Sequence, residues 1–222
     1  MEIIVSYLLI PFLNWGQYFF YIIILFAANK RFGWFNYFLG VSYKSLIWFV
    51  LGFKVLYASA STIGQYYVWS SNSFTKFLLD KNAIDFNVLR EFSGKLFLFL
   101  DNRFGYFFFY SWGRFWFEII VSLIAALAFY LFLIFLKKYK ERFFEEGETT
   151  MGFLLAFMVG WSNFIVFLPI AFLSVVFISI LKILFFKEKY TTLGAPFLLA
   201  ALIVLVFGDY LVSLLGWVSL RV

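Results

Sequence analysis

Gly147-Glu148-Thr149-Thr150 opens an apolar run, Met151 to Trp161, and a second run, Phe164 to Phe186, follows after Trp161-Ser162-Asn163. A polar break, Lys187-Glu188-Lys189-Tyr190-Thr191-Thr192, separates it from a last run. That run starts at Leu193-Gly194-Ala195-Pro196-Phe197 and passes through Phe207-Gly208-Asp209-Tyr210. About 20 apolar residues in a helix cross a hydrocarbon core of about 30 Å. Residues 147–217 therefore read as a transmembrane hairpin followed by one more span.

Composition extends this reading to the whole chain. Of 222 residues, 64% are hydrophobic and only 14% are charged. A soluble domain carries about 45–50% apolar and about 25% charged residues. No soluble fold hides so much apolar surface, so the expectation is an all-α, polytopic transmembrane helical bundle with about 5–6 spans. It is read as a single integral membrane domain over residues 1–222, with the lipid bilayer as its first partner. The 36 Phe, 14 Tyr and 8 Trp are ample for lipid-facing surface and interfacial belts.

The chain has no Cys and no His. Disulfides, thiol nucleophiles, imidazole acid–base chemistry and Cys/His metal sites are thereby excluded. No metal and no cofactor is expected. The net charge of +6 sets membrane orientation in a chain of this kind. No aromatic–basic module for nucleic acid is visible.

The first span is expected over about Ile3 to Ala28, retained rather than cleaved. Asn14 and Gln17, three apart, share a face and suit hydrogen bonds between helices. Lys30-Arg31 then suggest a cytoplasmic turn. The second span lies within Trp34–Ser61 and contains Lys44 and Lys54. Lys44 is near one end and can snorkel. Lys54 lies deeper, where a lysine marks snorkelling, a pairing or a functional contact. Residues 62–94 read as an extramembrane loop with one or two short amphipathic helices. Lys95–Trp112, broken by Asp101-Asn102-Arg103, reads as an interfacial or re-entrant segment. Phe115–Leu136 reads as a clean span, with Glu118 paired to Arg114 four residues earlier. Lys137, Lys138, Lys140 and Arg142 make the strongest basic cluster, which the positive-inside rule places in the cytoplasm.

With these exclusions, any hydrolysis falls to carboxylates. Two of them sharing a water can cleave a peptide bond, one taking the proton and the other donating one. Gly160-Trp161, Leu168-Pro169, Gly194-Ala195-Pro196-Phe197-Leu198 and Phe207-Gly208-Asp209 occur in an order and at spacings that resemble the C-terminal half of type IV prepilin peptidases. These are membrane aspartyl endopeptidases whose second catalytic aspartate ends a Gly-x-Gly-Asp motif. Counting back from Trp161 puts Gly147-Glu148 at that Gly-Asp. Glu148 replaces the aspartate, Glu145 the first glycine, and Thr150 a usual lysine. Asp80 and Asp85 are the candidates for the first aspartate, although neither sits in the family's Ile-Pro-like turn.

The resemblance implies leader-peptide cleavage of a pilin-like precursor by Glu148 with Asp80 or Asp85, in a bacterial or archaeal cytoplasmic membrane. Two other readings stand beside it. Glu148 is equally a carboxylate favouring a helix start, and the chain is equally a catalytically inactive relative acting as a membrane scaffold or assembly partner. Asp209 reads as structural. The basic segments also argue against the dyad, because they place residues 62–113 outside and Glu148 inside.

Overall fold

A computed structural model describes residues 10–28, 42–79, 105–140, 144–187 and 191–217. Among these residues there are helices and no strands. We number the longer helices α1 (Ile10–Ala28), α2 (Tyr43–Ser71), α3 (Gly105–Tyr139), α4 (Glu148–Val159), α5 (Trp161–Leu181) and α6 (Gly194–Leu214). Helix α3 contains a π turn at Trp112–Trp116, and a second π turn, Lys182–Phe186, continues α5.

Four helices are long and apolar enough to cross a membrane: α2, α3, α6, and α5 with its continuation to Phe185. No more than 33% of the apolar window of any of them is buried. Leu173, Phe177, Leu184, Phe185, Val206 and Phe207 are all more than half exposed. Soluble monomers rarely expose contiguous apolar patches above a few hundred Å². The chain is an all-α integral membrane protein.

The described chain falls into two compact units. The larger comprises residues 16–53 and 119–222. Its core is organised around α4, in which nine of twelve residues are buried. Leu154, Leu155, Ala156, Phe157 and Met158 follow one another without a polar face, the pattern of a helix enclosed on every side. At twelve residues it rises only about 18 Å. Leu46 and Val50 of α2, Phe129 and Leu133 of α3, Phe167 of α5 and Phe197 of α6 share this core. The Phe129 ring centroid lies 5.8–5.9 Å from those of Phe164, Phe167 and Phe197. Gly152 lets α3 approach closely, since a Cβ there would collide with the Leu133 side chain.

Gly160 ends α4 with φ +85°, a value glycine tolerates without strain. The freed amide of Trp161, at the start of α5, donates to Ser122 Oγ at 2.9 Å. The hairpin expected from Met151–Trp161 and Phe164–Phe186 is thus present, as a short buried helix followed by a long one.

The smaller unit comprises residues 1–15 and 54–118. Trp69 of α2 packs on Tyr106 and Phe107 of α3, at centroid distances of 6.0 and 5.5 Å. Trp116 Nε1 donates to Thr62 Oγ1 at 3.2 Å. Lys54 is buried in this unit, 6% exposed, and snorkelling does not describe it. Lys44, exposed in the first turn of α2, fits a snorkelling lysine.

Four expectations change. The loop expected from residue 62 begins ten residues later, because α2 runs to Ser71, followed by short helical turns at Ser73–Lys76 and Phe77–Leu79. Residues 105–112 belong to the continuous helix α3 rather than to a separate interfacial segment, while residues 95–104 lie outside the described residues. Gln17 donates to Tyr21 of its own helix at 3.1 Å, not to a neighbour. Glu118 and Arg114 are exposed and make no ion pair among the described residues. The π turn at Trp112–Trp116 widens the helix to i→i+5 bonding, which carries residue i+4 off the face of residue i.

Candidate functional site

Gly147 precedes α4 with φ +88° and turns the chain so that Glu148 becomes the first helical residue. The Tyr43 ring lies over Gly147, where a Cβ would come within 2.9 Å of it. Tyr43 Oη in turn donates to the carbonyl of Ala28 at the end of α1, at 3.2 Å.

Glu148 is 5% exposed. Its carboxylate accepts from the Glu145 amide (Oε2, 2.9 Å), the Leu193 amide (Oε2, 3.3 Å) and the Gly194 amide (Oε1, 2.6 Å). The first bond closes the turn into α4, and the other two cap the start of α6. Helix N-termini carry unsatisfied amides and partial positive charge, so one carboxylate serves both ends. A carboxylate offers about four lone-pair positions, and three are used here. Gly194 is required by this contact, since a Cβ would lie 2.8 Å from Glu148 Oε1.

Gly194→Ala is therefore expected to destabilise the protein although alanine gains about 1 kcal/mol in helix propensity over glycine. Forcing the carboxylate from its shortest bond costs more than that gain, since hydrogen bonds to charged groups contribute about 1.5–3 kcal/mol each. A thermal midpoint in detergent equal to or above that of the parent would show that the contact does not matter.

Around this clasp lies a cavity of about 290 Å³. Ala28, Tyr43, Glu145, Glu148, Lys182 and Thr191 line it, bringing together the end of α1, the start of α2, the turn before α4, the end of α5 and the approach to α6. The segments that lead into the three basic breaks of the sequence thus meet at one end of this unit.

Of the three carboxylates expected to carry catalysis, Glu148 is buried in the cavity wall, and Asp80 and Asp85 lie outside the described residues. Asp209 Oδ2 accepts from Tyr18 Oη at 3.1 Å, which ties α6 to α1 and fits its structural reading. The sequence reading did not single out Tyr43, Lys182 or Thr191. Gly147 and Gly194, each beside a helix start, were the available signal. Among the described residues no three His, Cys, Asp or Glu gather to hold a metal. No protein-family profile, curated protein or solved structure matches this chain.

Proposed function

We propose that this chain is a non-hydrolysing membrane protein built on a prepilin-peptidase-like helical scaffold, acting as a scaffold or assembly partner in a bacterial or archaeal cytoplasmic membrane. One observation carries the reading. The carboxylate at the expected catalytic position is committed to three backbone amides, two of which fasten α4 to α6. A general base must reach the proton it abstracts, and Glu148 spends its acceptors on the fold.

The scaffold half of the proposal rests on where the helices break. Helix α4 starts at Glu148, Gly160-Trp161 separates α4 from α5, Pro169 lies within α5, and α6 starts at Gly194. The starts of α4 and α6 and the Gly160-Trp161 break fall where the resemblance expects boundaries, whereas Pro169, expected near the opening of a span, lies eight residues inside α5. We read five spans, α1 joining the four longer helices. Helix α4, at about 18 Å, is a half-span buried in protein, the setting in which a short polar-ended helix is tolerated at membrane depth. Lys137, Lys138, Lys140 and Lys187 orient the cavity end toward the cytoplasm.

The test is cleavage of a pilin-like precursor, a short leader followed by an apolar helix, by the purified protein in detergent. No product above the no-protein control is expected. Product formed by the parent and lost in Asp80→Asn or Asp85→Asn would overturn the proposal and assign the chain to the peptidases. These aspartates give a cleaner control than Glu148, whose replacement disturbs the fold.

A further inference from the structure

Helix α3 leaves an apolar stripe open along its last turns. Leu131 is 58% exposed, Phe135 66% and Tyr139 77%, and their spacing of four places them on one face. At the end of the stripe the polarity changes within one turn. Lys138 and Lys140, both exposed, stand on either side of Tyr139, each about 100° from it around the helix axis. The Lys140 amide donates to the Leu136 carbonyl at 2.9 Å, so the helical path carries through to that residue. Lys140 Nζ lies 5.9 Å from the centre of the Tyr139 ring, at the outer limit of a cation–π contact.

Glu145, Glu146 and Glu148 follow closely in the sequence, near enough to neutralise these lysines. They do not. Glu148 is held by its three amides, and Glu145 lines the cavity beside it. Lys138 and Lys140 make no ion pair among the described residues. Lys137, on the far side of the helix from Tyr139, is half-buried.

Two ammonium groups thus stand at the end of an apolar stripe, with an amphipathic ring between them. From Leu131 to Lys140 the surface passes from hydrocarbon to aromatic to cation over about 14 Å. An anionic phospholipid has the matching order of acyl chain, ester region and phosphate. We propose that this end of α3 binds an anionic phospholipid of the phosphatidylglycerol class. Lys138 and Lys140 donate to its phosphate. Tyr139 lies at the ester level, where amphipathic rings sit, and Phe135 and Leu131 lie along an acyl chain. Juxtamembrane lysines attract anionic leaflets in general; here two of them account for the selectivity of the whole chain. This binding does not depend on whether the chain hydrolyses anything, so precursor cleavage and the lipid measurement are independent.

The experiment titrates the full chain, purified in a non-ionic detergent, with phosphatidylglycerol or phosphatidylcholine of the same acyl composition. Bound lipid is counted by native mass spectrometry. Phosphatidylglycerol should bind about 25-fold more tightly than phosphatidylcholine, about fivefold for each lysine. Lys138→Gln and Lys140→Gln should each remove one such factor, and the double Gln variant should bring the two lipids level. The double Arg variant should keep the preference. Lys76→Gln, at an exposed lysine in the short turn after α2, should leave it unchanged. Raising the salt concentration should shrink it, because charges this exposed are screened. Soluble glycerophosphate in millimolar excess should not displace the lipid, because it lacks the chain that lies on the stripe.

Equal affinity of the parent protein for the two lipids would overturn the proposal whether or not the variants fold, and would leave the two lysines to an acidic protein partner. Loss of preference in Lys76→Gln as large as in Lys138→Gln would also overturn it, since total charge would then set the selectivity. Displacement by glycerophosphate would overturn it as well, by reducing the site to one for a free phosphate.

Discussion

Glu148→Gln should lower the thermal midpoint of the purified protein by roughly 10 °C, a shift that follows from a loss of about 3–5 kcal/mol at about 2–4 °C per kcal/mol for a chain of this size. The carboxylate accepts three amides, and a glutamine side chain has one acceptor oxygen and an NH₂ group. Whichever way the amide turns, an N–H donor is set against a backbone N–H donor in a site only 5% exposed. The starts of α4 and α6 then lose their shared cap together. Glu148→Asp should lie between Gln and the parent, because the shorter side chain draws back from the 2.6 Å bond to Gly194. The resemblance to the peptidases leads to the opposite expectation, in which aspartate restores the family geometry and keeps or raises activity. The two readings also differ in sign on stability. Catalytic groups are often held in destabilised settings, so replacing one tends to leave stability unchanged or raise it. A Glu148→Gln midpoint within a degree of the parent would therefore remove the clasp from the account.

How much of this was legible in the sequence depends on where each residue finds its partner. The breaks at Gly147, Gly160 and Gly194 could be read directly, because glycine beside an apolar run marks a helix end. The role of Glu148 could not. Two of its three donors are backbone amides 45 and 46 residues further along, and a backbone amide leaves no mark in the sequence. The early end assigned to α2 has a similar cause. Ser59, Thr62, Ser70 and Ser71 make the second half of that helix look like a loop. Their hydroxyls in fact donate to carbonyls three or four residues back, at 2.8–2.9 Å. Such back-bonding hides hydroxyls inside a helix, and in lipid it removes the cost that would otherwise end the span. For α3 the misleading signal was Asp101-Asn102-Arg103, which made Lys95–Trp112 look like a separate segment, whereas residues 105–112 run into one continuous helix.

Single cysteines should divide cleanly into two classes when an impermeant maleimide is added to intact expressing cells. The chain has no native cysteine, so each introduced thiol reports alone. A position near Thr191 is unsuitable, because Thr191 is 7% exposed and would be protected on either side of the membrane. Tyr139, 77% exposed at the end of α3, and Lys187, exposed after α5, are suitable at the cavity end. Ser73, exposed just beyond α2, is suitable at the other. The basic segments of the sequence lead to the expectation that residues 62–113 lie outside and the basic breaks inside, so Ser73 is expected on the face opposite Tyr139 and Lys187. The positive-inside rule leads to the expectation that the basic residues around Tyr139 and Lys187 are cytoplasmic. Ser73→Cys should label fully in intact cells, and Tyr139→Cys and Lys187→Cys only after permeabilisation. Labelling of Tyr139→Cys in intact cells would reverse the orientation. Protection of all three would put Ser73 on the same side as the cavity, contradict α2 as a span, and allow Asp80 to approach Glu148 after all.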